Sequence, residues 1–241
     1  MILVICEESD GGALWAANRL CCQGLAVAII TGADLATAER WVHRVGQAGA
    51  VFELDLADGR HLSGREIRGV LNRLSYLPAD WIQRVGGVDR DYAIQEMYAF
   101  YLSWLHSLPG PLLNPPTPQG LCGNWRHPSV WVALAGRAGL VTPTYRQSSD
   151  DDPDAFWNPA MVPAPTTVFV VAEQVIAPPM LPEQLQNPCL RLAKTAGTTL
   201  LGIDFTLNTA GEWCFVGASM MPDLFRGGEP LIAALAEAFA A

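Results

Sequence analysis

The sequence predicts an α/β fold, with an N-terminal domain built on a parallel sheet and a smaller α+β domain after it. Three observations predict this. Up to Leu56, apolar runs of strand length alternate with helical stretches, the rhythm of strands joined by crossover helices. A cluster of prolines and glycines between Pro109 and Gly123 then interrupts the chain. Near the C-terminus, Leu201 to Ser219 shows a two-residue alternation broken by one turn, as in an antiparallel hairpin.

Each element has a local reason. Ile2 to Cys6 is an unbroken apolar run and reads as a strand buried on both faces. Gly12 to Gln23 follows as a helix, Leu25 to Thr31 as a strand, Asp34 to Gln47 as a helix, and Ala50 to Leu56 and Gly69 to Leu74 as further strands. Asp89 to His106 is a long helix whose Tyr92, Met97, Phe100, Tyr101 and Trp104 form an apolar surface. Pro109-Gly110-Pro111 stops it, and Leu112-Leu113-Asn114 makes a last short strand before Pro115-Pro116. A boundary between Thr117 and Gly123 divides the chain into domains 1–118 and 119–241. In the second domain Pro128 to Arg137 is a helix, with Gly139 and Pro143 as its stop signals. The acidic, proline-rich stretch 148–165 is a solvated loop. Thr167 to Ile176 is a strand, Leu181 to Ala196 is mostly helical, and Glu229 to Ala240 is a closing amphipathic helix. No internal repeat is present.

The C-terminal hairpin carries the most chemistry. Leu201, Ile203, Phe205 and Leu207 alternate with Gly202, Asp204, Thr206 and Asn208, so one face is apolar and the other offers a carboxylate, a hydroxyl and an amide. Asn208 to Gly211 is the turn. The returning strand, Glu212 to Ser219, ends in Gly217-Ala218-Ser219, which supplies no second carboxylate or amide oxygen for a hard divalent cation.

Composition excludes several functions. With 241 residues, 50% of them hydrophobic and 16% charged, the chain is long enough for a substantial core. A net charge of -9, with arginines scattered rather than clustered, argues against a nucleic-acid partner. Nothing approaches a membrane span. The opening MILVICEESDGG has no basic leader and its apolar run stops at Glu7, so it reads as a first strand rather than a signal peptide. Cys6, Cys21, Cys22, Cys122, Cys189 and Cys214 show no zinc spacing, which leaves reduced, buried thiols and a cytoplasmic location as the expectation. The four histidines show no metal-binding spacing, and no nucleophile-elbow or papain-like pattern is present. Lys194 is the only lysine, and its helical segment gives it a solvated surface role.

These motifs resemble the ATP-grasp ligases, in particular the ribosomal-protein glutamate ligase and graspetide (microviridin-type) group. The hairpin is similar to that family's "GxDF…G…FLEVNxxP", in which an Asp, a Glu and an Asn hold the magnesium ions of ATP. Asp204 matches the Asp, Gly217 and Ser219 fall at the Glu and Asn positions, and Pro222 keeps the exit turn. ELDLADGRHLSGREIRGVLNRL and DYAIQEMYAFYLSWLHSLPGPLLNPP are similar to the family's N-terminal domain, with Arg73, Glu96 and Asn114 at its "VlwR", helical "E" and "N.P" positions. VFVVAEQVIA is similar to "RvfVVGdqv", with Thr167 in place of the Arg. The resemblance therefore implies a pre-ATP-grasp, Rossmann-like domain followed by a truncated ATP-grasp domain.

The resemblance also implies what is missing. Pro128 stands where the family has a phosphate-facing lysine, ahead of Gly139-Leu140-Val141-Thr142-Pro143-Thr144. A lid subdomain with a second lysine and a Gly-rich loop is replaced by the stretch between Tyr145 and Thr167. Phosphoryl transfer depends on positioned charge, so losing two lysines, an arginine, a loop and two metal ligands together implies that ATP and magnesium binding are lost. Arg126 and His127 lie where a neighbour could stand in for the lysine, and Ser219 is a weak ligand. Asp204 reads either as a residual binding group or as a solvent-face carboxylate of an edge hairpin bonded to Thr206. Arg73 and Glu96 read as a buried ion pair or as ligand-binding groups.

The resulting expectation is a non-catalytic relative that binds a protein or peptide in a peptide-modification or ligase system. Its residual cleft would be lined by Asp204, Arg73, Glu96, Asn114, Arg126, His127 and Ser219; of Trp125, Trp131, Trp157 and Trp213, core packing takes two or three and any left exposed would form an aromatic docking surface. The alternative is an enzyme of altered chemistry that uses Asp204, Arg73 and Arg126 around a small carboxylate or nucleotide. A homodimer, paired through the final helix and the Trp81/Trp104 region so that one subunit completes the other's site, is a third arrangement.

Overall fold

The computed structural model describes residues 1–78, 89–145, 165–208 and 210–240. The chain divides into two compact units, one of Met1–Asn124 with Leu235–Ala241, the other of Trp125–Ala234.

The first unit is built on a parallel sheet of four strands in the order β2-β1-β6-β7. These are β1 (Ile2–Cys6), β2 (Val27–Thr31), β6 (Gly69–Asn72) and β7 (Leu112–Leu113). All five residues of β1 are buried, as its unbroken apolar run demands. Helix α1 (Gly11–Cys22) connects β1 to β2, and Asp10 caps its first turn by accepting from the Ala13 amide at 3.0 Å. After β2 the chain does not form the long helix expected over Asp34 to Gln47. Thr31 and Asp34 make a capping box that starts α2 (Gly32–Ala36), which ends after five residues. Residues Arg40–Gly46 form β3 instead, which turns back into β4 (Gly49–Asp55) and then β5 (His61–Ser63), an antiparallel sheet of its own.

The reason is the side-chain period. Trp41 alternates with Arg40 and Val42, so Trp41 and His43 face one side while the charges face the other. Helix α3 (Asp89–His106) contributes Tyr101, Trp104 and Leu105 to a core shared with Leu3 and Ile5 of β1 and Phe52 and Leu54 of β4. Trp41 meets Phe100, Tyr101 and Trp104 edge-on, at centroid distances of 4.9, 5.1 and 4.7 Å. Trp104 is fully buried there, so it offers no pairing surface to a second copy. Trp81 lies outside the described residues.

The second unit is an antiparallel sheet ordered β11-β10-β8-β9, with β8 at Thr166–Val171, β9 at Gln174–Ile176, β10 at Leu200–Leu207 and β11 at Trp213–Ser219. The single strand expected over Thr167 to Ile176 is therefore a hairpin, turned at Ala172 with φ 51°. The apolar residues Leu201, Ile203 and Phe205 of β10 point into a core with Val168, Val170 and Phe215. Helices α4 (Pro128–Arg137) and α5 (Gln186–Ala196) close it through Trp131, Ala135, Leu192 and Ala193. Pro128 opens α4 and Gly197, left-handed at φ 64°, closes α5. The final helix, α6 (Gly228–Ala240), follows a short turn of helix at Leu224–Gly227. Among the described residues no helix is long and apolar enough to cross a membrane.

Candidate functional site

The polar face of β10 holds the candidate site of the second unit. Asp204 sits opposite Gly217 on one side and Thr167 on the other, while Gly202 sits opposite Ser219. β10 is an inner strand of this sheet, and the Asp204 carboxylate takes its hydrogen bond from Thr167 Oγ1 at 2.6 Å, not from Thr206. The correction is geometric. Thr206 lies two residues along the same strand, whereas Thr167 is the direct cross-strand neighbour of Asp204 on that face.

A guanidinium completes the arrangement. Arg226 Nη1 donates to Thr167 Oγ1 at 3.1 Å and lies 3.9 Å from Asp204 Oδ1, while its Nε lies 3.7 Å from Asp223. A positive charge thus stands beside Thr167 and Asp204, supplied by residue 226. A small cavity of about 220 Å³ remains, lined by Thr167, Gly202, Asp204, Ser219, Pro222 and Arg226 among others. Ser219 Oγ faces back to its own chain and accepts from the Met221 amide at 3.0 Å.

This donor set does not fit a hard divalent cation. Such an ion takes about six oxygens, carboxylates foremost. Here Gly217 brings no side chain, and Asp204 already accepts a hydroxyl with a guanidinium beside it. Among the described residues no group of three or more His, Cys, Asp and Glu side chains is placed to hold a metal.

Arg126 and His127 have structural work in the same unit. Arg126 donates to the Ala196 carbonyl at 2.7 Å and stacks on Trp131 with its carbon 5.2 Å from the ring centroid, and burial lowers its pKa. His127 caps α4, its Nδ1 accepting from the Ser129 amide at 3.3 Å. Trp125 is 73% exposed, Trp131 is buried, and Trp213 packs partly against the core. Trp157 lies outside the described residues. Lys194 is exposed on α5.

In the first unit Arg73, Asn114 and Asp10 gather near the carboxyl ends of β6, β7 and β1, the position at which open α/β sheets bind ligands. The buried Arg73 pairs with Asp10 and not with Glu96: its Nε and Nη2 donate to the two carboxylate oxygens at 2.6 and 3.2 Å. Glu96 is exposed on α3. Asp10, as a helix cap just past β1, is fixed where β6 delivers Arg73, whereas Glu96 falls on the solvent face of its helix. Asn72, unnoticed in the sequence, ties the cluster together by donating to the carbonyls of Asn114 at 2.9 Å and Leu121 at 2.7 Å. Burial pushes the Cys6 and Cys122 thiols up to about 11 and that of Cys189 up to about 12, so these three are inert. The expectation of six buried thiols fails at Cys21 and Cys22, which are exposed in the last turn of α1, and at Cys214, which is half-buried.

No protein-family model matches the chain, and no curated protein does. Solved structures do. Macrocyclase MdnC of Microcystis aeruginosa MRC, bound with precursor peptide MdnA, superposes with a TM-score of 0.75 at 14% identity, covering 100% of this chain and 99% of that one. An RiPP-associated ATP-grasp ligase of Chryseobacterium gregarium, in complex with ADP and a leader and core peptide, gives 0.67 at 13% identity, covering 99% and 95%. ATP-grasp ligase PsnB, complexed with a phosphomimetic variant of minimal precursor, Mg and ADP, gives 0.70 at 16%, covering 99% and 97%. The fold is that of the ATP-grasp ligases.

Proposed function

We propose that the protein is a non-catalytic ATP-grasp relative that binds a peptide or protein within a peptide-modification system. The observation that carries this reading is the register of β10 with β11, which sets Gly217 and Ser219 against Asp204 and Gly202. Gly217 and Ser219 offer a cation-bound triphosphate no carboxylate, the cavity's other carboxylate, Asp223, lies beside Arg226, and the sole lysine, Lys194, is exposed on α5. Each missing contact of this kind is worth about 3 kcal/mol of transition-state stabilisation, so several together remove the reaction. Peptide binding is supported by the fold neighbours, solved with a precursor peptide, with a leader and core peptide, and with a variant of a minimal precursor.

The test uses the full chain and a fluorescent copy of any short peptide encoded beside its gene. Anisotropy should rise at micromolar protein without nucleotide, and adding ATP and magnesium should change neither the affinity nor the peptide's mass. A peptide that loses water in an ATP-dependent manner would overturn the reading in favour of a ligase.

The second reading, altered chemistry around Asp204, Arg73 and Arg126, is favoured by one observation only, the return of a guanidinium beside Asp204 through Arg226. Arg73 and Arg126 serve an ion pair and a carbonyl bond instead.

A further inference from the structure

Arg226 is held over Asp204 by its own segment. Pro222 packs so closely on β10 that a Cβ at Gly202 would lie 2.5 Å from the Pro222 ring, which draws the following turn down onto the strand. Asp223 then caps that turn, accepting from the Phe225 amide at 3.1 Å. Three residues later the Arg226 guanidinium lies with Asp223 on one side and the Thr167–Asp204 pair on the other. A cation between two carboxylates is the charge arrangement of a bound metal, but here the cation is part of the chain.

We propose that Arg226 is the permanent counter-ion of Asp204 and that its guanidinium excludes a divalent cation from this cavity. The inference rests on the reading of the site as stripped of metal binding, and it adds a cause. Glycine at 217 and serine at 219 give a metal no carboxylate, while a positive charge within 4 Å of Asp204 repels it. The two causes are separable, because the missing ligands can be restored with Arg226 present or removed.

The experiment measures Mn²⁺ binding by the loss of its free-ion paramagnetic resonance signal, without nucleotide, on the full chain. The compared proteins are the unaltered chain, Gly217→Glu/Ser219→Asn, and the same pair with Arg226→Gln. The triple variant should bind Mn²⁺ at least tenfold more tightly than the double variant, and adding Asp204→Asn to it should abolish the gain. Equal affinity in the double and triple variants, whether strong or absent, overturns the inference. Near-ultraviolet circular dichroism checks that each protein is folded, and if a glutamate at 217 unfolds the hairpin the exposed Ser219→Asp, with and without Arg226→Gln, carries the same comparison. Tight, Asp204-dependent Mn²⁺ binding by the unaltered chain would overturn this inference and the stripped-site reading together, whereas equal double and triple variants beside a non-binding unaltered chain would sink only the role of Arg226.

Discussion

Arg73 grips Asp10 with two donors, and that pair links the carboxyl end of β6 to the first turn of α1. Both side chains are largely shielded, at 6% and 13% exposure, so neither charge is paid for by water. Arg73→Ala should therefore destabilise the protein by about 3–5 kcal/mol, because it strands a buried carboxylate. Arg73→Lys should recover only part of this, since an ammonium cannot match the two-pronged geometry. Urea unfolding of both variants checks the order.

Ala172 turns the β8–β9 hairpin with φ 51°, in the left-handed region that a side chain disfavours by roughly 1–2 kcal/mol. Replacing it by glycine relieves that cost while adding roughly 0.5–1 kcal/mol of chain entropy to the unfolded state. Ala172→Gly should thus stabilise the protein by about 1 kcal/mol net, visible as a higher urea midpoint with an unchanged slope.

Gly202→Ala should do the opposite. The added methyl meets Pro222 at 2.5 Å, and the segment carrying Arg226 must shift to admit it. A loss of about 1–3 kcal/mol is expected from such overpacking, and thermal unfolding measures it.

His61 and Asp55 form an exposed pair on the small sheet, with Nδ1 2.5 Å from Oδ1. The hydrogen bond raises the His61 pKa above its ordinary 6.5 and lowers that of Asp55 below 3.8. The histidine's contribution is full below 6.5 and fades as pH rises through its raised folded value. The aspartate's is present above 3.8 and fades as pH falls through its lowered one. The pair therefore helps most between those two limits. Nuclear magnetic resonance titration should find His61 above 6.5, and Asp55→Asn should bring it back down.

Much of this architecture was legible residue by residue. Helix Asp89–His106 is announced by its apolar residues and the Pro109 after it, and Pro128–Arg137 by its N-terminal proline and the Gly139 that follows. The alternation in β10 revealed which face would carry Asp204. The helix expected over Asp34 to Gln47 does begin, at the Thr31–Asp34 capping box, but the two-residue period after Glu39 turns Arg40–Gly46 into a strand. The β8–β9 turn was hidden because alanine, not glycine or asparagine, occupies the left-handed position. The partner choices at the sites were not legible either. Asp204 meets Thr167 through strand register, Arg73 meets Asp10 across 63 residues of chain, and Arg226 reaches Asp204 only because Pro222 folds its segment over Gly202. Such pairings depend on three-dimensional neighbours that no local pattern encodes.

We propose that this chain does not bind a metal-bound triphosphate. Isothermal titration of the full chain with ATP and magnesium at millimolar concentration tests it most directly. No saturable heat is expected. A saturable isotherm of micromolar affinity that disappears in Asp204→Asn would contradict it.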